Sequence, residues 1–237
     1  NQITISYLTI ENVTFNAPLI TISESTVIIK NLKIYNCTFD KSGDSSGKLL
    51  DIINSNVILD TIDISGGDCL NDSLISYNSK VVNSNPYFGS DISENDFIPK
   101  LTIKDMSINN VSFGEKGIVF VSGNEIDISK LNIYNCRGST SPTDSYISNK
   151  ITSFNSPLTF LDTTVNISDS IFKNNNYKID IVNQKTYSAQ AITLYNSSMN
   201  ITDTEFYIAD DVKKYYTDII DKTYDEIVNN KYDYWNE

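Results

Sequence analysis

Few side chains in this sequence could carry out chemistry, and histidine is absent. Histidine is the usual acid–base group near neutral pH and the commonest metal ligand, so its absence removes the most frequent catalytic arrangements. Arg137 is the one arginine. The pairs Asp210–Asp211 and Asp225–Glu226 have the residue type that cleaves glycosides, but they lie in a charged tail, where solvated carboxylates are expected. We therefore predict no catalytic residue, no cofactor and no enzymatic activity.

Two acidic loops offer oxygen atoms that could bind calcium. Asp91, Glu94 and Asp96 fall in one loop, and Asp40 and Asp44 fall in the other. Neither loop has the regular ligand spacing of an EF-hand. Acidic loops are usually solvated charge, so we predict no metal site.

The overall charge and length exclude further classes of function. The net charge is −12, and a chain this acidic repels phosphate backbones, so we predict no nucleic-acid partner. No segment approaches the roughly 18 apolar residues of a membrane-spanning helix, so we predict no transmembrane segment. A chain of 237 residues with 40% hydrophobic content is long enough to bury one sizeable core.

An internal repeat organises most of the chain. The string LKIYNC at 32–37 recurs as LNIYNC at 131–136, and extending this match gives a template with apolar residues at positions 0, +2, +5 and +7 and Asn or Gly at +9. The departures are Ser170 and Thr204 at +5 and Ile208 at +9. The residues at position 0 are Ile3, Val27, Val57, Leu101, Ile126, Val165 and Met199.

The spacing of the template predicts strands and bends. Apolar residues two positions apart share one face of a strand, and the odd step from +2 to +5 requires a bend. Asn and Gly at +9 tolerate left-handed backbone angles, so a second turn is expected there. In most repeats a third apolar pair precedes the template: Ile20 and Ile22, Leu50 and Ile52, Leu158 and Phe160, and Ile192 and Leu194.

Three strands joined by bends predict a triangular coil. The fold class is therefore all-β, a right-handed parallel β-helix of about seven coils over residues 1–207. The longer repeats are explained by loops at about 82–100, 139–152 and 174–189, which are rich in Ser, Asn, Asp and Pro. An antiparallel sandwich would lack a fixed template and is disfavoured.

The repeat resembles the right-handed parallel β-helix superfamily with the pectate-lyase-like fold, over about 1–207. The strings IENVTF, IYNCTF and INNVSF also resemble repeats of polymorphic outer-membrane-type surface proteins. In the enzymes of this superfamily, calcium bound by carboxylates works with a basic residue, which here would be Arg137, although no carboxylate cluster accompanies it. The resemblance implies an inward-facing ladder, bonded to the backbone of one turn, formed by Asn12, Asn36, Asn110, Asn135 and Asn174.

The cysteines are Cys37, Cys69 and Cys136, and no CxxC pair or histidine is present to form a zinc site. Cys37 and Cys69 fall in successive coils, and coils about 4.8 Å apart are within the Cα range of a disulfide. A Cys37–Cys69 bridge and three free packed thiols are both open. Cys136 lies three coils from Cys37, too far for a bridge.

N-glycosylation sequons occur at seven positions, about the number that composition alone predicts. Asn12, Asn36 and Asn110 belong to the expected inward ladder and could not carry glycans there. The better acceptors in a secreted protein are Asn71, Asn166, Asn196 and Asn200.

The segment 208–237 departs from the repeat. Apolar residues between Val212 and Val228 recur at helical spacing, which predicts an amphipathic helix at about 210–230. This helix would cap the last coil or dock onto a neighbouring subunit, and the residues predicted to anchor an interface are Tyr232, Tyr234 and Trp235. No comparable cap precedes Ile3, so we expect another copy, another subunit or further residues to cover the first coil.

These observations favour a non-enzymatic structural and interaction module, outside the cell or at its surface, as a subunit of a larger or filamentous assembly. The expected partners are other proteins or further copies, and a bound glycan is compatible with the surface. The alternative is a polysaccharide-binding or polysaccharide-cleaving β-helix, because this fold hosts lyases and hydrolases as well as adhesins and fibres.

Overall fold

The computed structural model describes residues 2–42, 45–70, 72–79, 99–114, 116–139, 156–181, 184–188 and 191–208. Every regular element in these ranges is a β-strand, and the strands of successive repeats pair in parallel. Within the described residues, the prediction of all-β structure with parallel strands is confirmed. The predicted helix lies outside the described residues, and Ile208, at the start of the predicted cap, is still in a strand.

The strands follow the repeats in order. The first three repeats contain β1 (Gln2–Glu11), β2 (Thr14–Phe15), β3 (Pro18–Ser23), β4 (Thr26–Phe39), β5 (Lys41–Ser42), β6 (Ser45–Ser46), β7 (Lys48–Ile53), β8 (Asn56–Cys69) and β9 (Ile75–Asn78). The later repeats contain β10 (Lys100–Asn109), β11 (Ser112–Phe113), β12 (Val119–Ser122), β13 (Glu125–Tyr134), β14 (Arg137–Ser139), β15 (Leu158–Leu161), β16 (Thr164–Ser168), β17 (Ile171–Ile181), β18 (Gln184–Ser188), β19 (Ile192–Tyr195), β20 (Ser198–Thr202) and β21 (Glu205–Ile208).

The template residues pair with one another in the predicted register. Ile3 pairs with Val27, Val27 pairs with Val57, and the position-0 column continues without a break to Met199. The +7 column is likewise continuous from Ile10 to Phe206. The sequence template therefore identifies residues that are true neighbours along the stack.

The third strands of the repeats form a separate parallel sheet, in the order β19-β15-β12-β9-β7-β3. The predicted third-strand pairs are confirmed, since Ile20 pairs with Leu50 and Leu158 pairs with Ile192. The sequence analysis missed the two strands that the third and fourth repeats contribute to this sheet. These strands begin at Ile75 and Val119.

The core lies between these sheets and is filled by the inward columns. Ile29, Leu59 and Ile103, which share the +2 column, are each fully buried. Burial of an aliphatic side chain of this size contributes about 1.5–3 kcal/mol relative to exposure. The interior of the described residues is therefore packed with hydrocarbon, and functional chemistry belongs on the outer surface.

Candidate interaction surface

The described repeats turn at up to three corners, and each of the corners given below has one or two residues with a positive φ. Asn and Asp fill 13 of the 17 non-glycine positions, because their short polar side chains tolerate the left-handed region. The first corner begins three residues before the template and has Glu24, Asn54, Gly123 with Asn124, Asp162 and Asn196. The second, at +4, has Tyr7, Asn31, Thr61, Asp105, Lys130, Asp169 and Asp203. The third, at +9, has Asn12, Asn36, Gly66 with Gly67, Asn110, Asn135 and Asn174.

The structure of the third corner corrects the predicted orientation of the asparagine ladder. Its five asparagines do occupy the equivalent turn, with φ between 50° and 56°. Their side chains, however, face outward, four of them exposed and Asn174 half-buried. The prediction that they point inward is wrong, because a left-handed residue interrupts strand alternation and turns its own side chain to solvent. The inward position is the next one, and there Asn175 is buried.

The amide of Asn175 makes the contacts that were expected of the ladder. Its Nδ2 donates to the carbonyl oxygen of Ile133 at 2.8 Å, and its Oδ1 accepts the N–H of Cys136 at 2.9 Å. Two asparagines at the corner itself bond to one another, with Asn174 Nδ2 donating to Asn135 Oδ1 at 3.3 Å. The sequence does have an asparagine at the inward position, because Asn175 comes one residue after the position that was predicted to face inward.

The residue that follows each left-handed residue carries a hydroxyl or thiol in many repeats. At the first corner Ser55 Oγ donates to Ile53 O at 2.7 Å, and at the second Ser170 Oγ donates to Ser168 O at 2.7 Å. These bonds close the turn and explain why Ser170 stands at a +5 position that is otherwise apolar.

At the third corner the same position is held by cysteine. Cys136 Sγ donates to Tyr134 O at 3.3 Å, and Cys37 Sγ donates to Tyr35 O at 3.4 Å. Cys37, Cys69 and Cys136 are all free and buried. The Cys37–Cys69 bridge is not formed, because Cys37 pairs with Gly67 and Cys69 pairs with Phe113 two positions further on. The alternative of three free packed thiols is the one that the structure contains.

Insertions leave the repeats mainly at one edge, between position +12 and the third strand. We call this the insertion edge, and its described parts are the hairpin β5–β6, residues 70 and 72–74, residues 114 and 116–118, and the hairpin β17–β18. The described residues also stop at this edge after Ser139 and resume at Ser156. The first corner, by contrast, is two residues long wherever the structure describes it, and in the third repeat the described residues stop after Ser79 and resume at Pro99.

Asp72 connects the insertions of three repeats through hydrogen bonds and ion pairs. Its carboxylate accepts hydrogen bonds from Ser46 Oγ at 2.7 Å and the Ser73 N–H at 2.8 Å, and it pairs with Lys48 at 3.5 Å and Lys116 at 3.0 Å. Burial alone would raise the pKa of Asp72, but the bonds from Ser46, Lys116 and Ser73 outweigh it and hold the pKa below its usual value. Sequence reasoning did not identify Asp72 as a functional residue, because in the sequence it is only the middle residue of the sequon at Asn71.

The flat outer face of the β10–β13–β16 sheet carries a second polar cluster. Lys100 Nζ lies 2.6 Å from Asp127 and 3.0 Å from Glu125, and Asn166 Nδ2 donates to Asp127 Oδ1 at 3.0 Å. Burial raises the pKa of Asp127, but the bonds from Lys100 and Asn166 prevail and lower it. Lys100 thus pairs with both carboxylates of this half-exposed cluster, which keeps one net negative charge.

The other predicted positions are placed as follows. Arg137 is exposed on β14, and within the described ranges His, Cys, Asp and Glu form no group of three suited to a metal ion. Asn196 is exposed and donates to Asp162 Oδ1 at 2.5 Å, and Asn200 is exposed. Asp40 is exposed. The predicted positions outside the described residues are Asp44, Asn71, Asp91, Glu94, Asp96, Asp210, Asp211, Asp225, Glu226, Tyr232, Tyr234 and Trp235.

Comparison of the chain with models of protein families, with characterised proteins and with solved structures gives no significant match. Among the residues that the structure describes, no helix has the length and hydropathy to cross a membrane.

Proposed function

We propose that the chain is a right-handed parallel β-helix of about seven coils that serves as a non-enzymatic structural and interaction module. The unbroken parallel register from Ile3 to Met199 and the left-handed corners of the described repeats support the winding. Segment 208–237 is its helical cap or docking segment, supported by the helical spacing of its apolar residues.

The observation that carries the interaction role is the insertion edge. Strands and corners keep almost constant spacing, whereas the lengths of the segments at this edge differ from repeat to repeat. In repeat proteins such insertions map to one face, which is often the binding face. Asp72 links three of these segments, so the edge is held in a defined shape before a partner arrives.

The extracellular or cell-surface location and the place in a larger assembly are further parts of this proposal. The acidic surface and the sequons are compatible with such a location. The absence of histidine and the single, isolated arginine support a role without catalysis.

A pair of photocrosslinking probes tests the proposed role. Leu70, on the insertion edge, is 44% exposed, and Ile53, on the outer side of the third sheet next to the first corner, is 39% exposed. A photoreactive phenylalanine at position 70 should crosslink a partner protein or a second copy in the native cell, whereas the same probe at position 53 should not. Equal crosslinking at both positions, or none at either, would contradict the role of this edge.

Polysaccharide binding is a second candidate, favoured by one outward column. Tyr35, Tyr134 and Tyr207 share the +8 column, and Tyr35 and Tyr207 donate to Asp63 and Glu205 at 2.9 and 2.5 Å. Aromatic rings beside carboxylates suit sugar stacking and hydroxyl recognition. Retention on immobilised polysaccharide that falls severalfold in Tyr134→Ala, but not in Thr102→Ala on the other face, would favour this candidate.

A further inference from the structure

The third corner divides into two groups of asparagines. Asn135 and Asn174 use their amide nitrogens in a ladder, Asn135 Nδ2 donating to Asn109 Oδ1 at 3.2 Å and Asn174 Nδ2 to Asn135 Oδ1 at 3.3 Å. Neither is followed two residues later by Ser or Thr, since those positions hold Arg137 and Asn176. These two side chains have a structural role that occupies the nitrogen.

In the described part of the chain, the other three asparagines of the third corner lack such side-chain bonds, and each of them begins a sequon. Asn12, Asn36 and Asn110 are exposed, and the structure gives their side-chain amides no hydrogen-bond partner within the described residues. Each begins a sequon whose hydroxyl residue is Thr14, Thr38 or Ser112, and these hydroxyl residues are exposed or half-exposed.

We propose that Asn12, Asn36 and Asn110 are acceptors for N-linked glycans along the third corner. In two of these sequons the intervening residue occupies the inward position and is buried, with Cys37 and Val111 1% and 3% exposed, whereas Val13 in the first repeat is 38% exposed. The inward side chain anchors the turn, so the outward asparagine can carry a bulky group without displacing core contacts. The acceptors Asn166 and Asn196 differ, because their amide nitrogens already bond Asp127 and Asp162.

The modification forms a bond between Nδ2 and the anomeric carbon of an oligosaccharide donated by a lipid diphosphate. The bond from that carbon to the diphosphate oxygen breaks, the lipid diphosphate leaves with the electron pair, and Nδ2 loses one proton. A secretory-pathway transferase supplies this donor, so the inference rests on the extracellular location proposed above. It does not depend on the insertion edge.

The test supplies the secretory route. The full chain is fused behind a cleavable signal peptide, expressed in a eukaryotic host, and mapped by mass spectrometry after enzymatic release of the glycans. Thr14→Ala, Thr38→Ala and Ser112→Ala each destroy one sequon while leaving the corner asparagine in place. Each variant should lose one glycan, whereas Thr9→Ala, an exposed control, should lose none.

Occupancy of at least two of the three corner sites, with the β-sheet circular dichroism of the unglycosylated chain, supports the proposal. Secreted protein with one or none of them occupied overturns it. Glycans at these sites accompanied by loss of the β-sheet signal also overturn it, because the side chains would then belong inside. Crosslinking from position 70 compares two probe positions and does not depend on whether the third corner carries glycans, so the two proposals fail separately.

Discussion

The backbone N–H of Leu131 donates a 3.1 Å hydrogen bond to the hydroxyl oxygen of Ser170 in the next repeat. The same hydroxyl donates to Ser168 O, and Ser170 is fully buried. Ser170→Ala leaves both backbone groups without this partner and should lower the free energy of unfolding by about 1–3 kcal/mol. Ser168→Ala, a half-exposed control, should change it by less than about 0.5 kcal/mol. Urea unfolding measures both, and equal effects would show that the hydroxyl does not close the corner.

The three thiols should be unreactive in the folded chain. Burial raises the pKa of Cys136 to about 12 and raises that of Cys69 well above its ordinary value, and the thiolate is the reactive form. A chromogenic thiol reagent at pH 8 should therefore react slowly with these two residues in the native protein, and it should titrate three thiols after unfolding without reductant. A count of one after unfolding would reveal the Cys37–Cys69 bridge that the structure lacks.

The carboxylate of Asp72 should make stability depend on pH. Its folded-state pKa lies below the unfolded value of about 4, so its contribution is present above that value and is lost as the pH falls through the folded pKa. The urea midpoint of the native chain should therefore fall between neutral pH and pH 3 more steeply than that of Asp72→Asn. Asp60→Asn, whose partner Lys30 lies 4.0 Å away, is the control with little effect. Parallel curves for Asp72→Asn and the native chain would contradict the role of Asp72.

Two adjacent glycines should respond differently to substitution. Gly67 has φ of 92°, and a Cβ there would collide with the carbonyl oxygen of Cys37, so Gly67→Ala should destabilise by more than about 1 kcal/mol. Gly66 has φ of 70° and meets only the end of the Asn36 side chain. Gly66→Asn restores the usual residue of the third corner and should be tolerated. Thermal unfolding compares the two, and a larger loss for Gly66→Asn would show that the corner positions have been misassigned.

Much of the fold follows from the spacing of apolar residues, because a column of inward side chains must recur at fixed positions in every coil. The odd step from +2 to +5 was recognised as a bend, and the structure shows a left-handed residue there, at +4. The step from +7 to +10 is odd in the same way and requires a left-handed residue at +9, so Cys37 and its equivalents face inward while Asn36 and its equivalents face solvent.

The candidate surface was less predictable than the fold. The insertion edge depends on where the chain departs from the coil, and loop sequences carry no period that fixes this. Asp72 gains its partners from Ser46 and Lys116, which are 26 and 44 residues away. Contacts at such separations arise only once the coils are stacked, so local sequence gives no sign of them.

The central claim is that equivalent coils stack and thereby position the insertion edge, and deletion of one coil tests it most directly. Removing 101–125 joins Lys100 to Ile126 in the existing register, so β8 can pair directly with β13. Removing 103–126 instead joins Thr102 to Asp127 and places a carboxylate at an inward position. The first variant should unfold cooperatively and be shorter by about 4.8 Å in X-ray scattering, whereas the second should fail to fold. Loss of folding in both variants, or equal stability in both, would contradict a stack of equivalent coils.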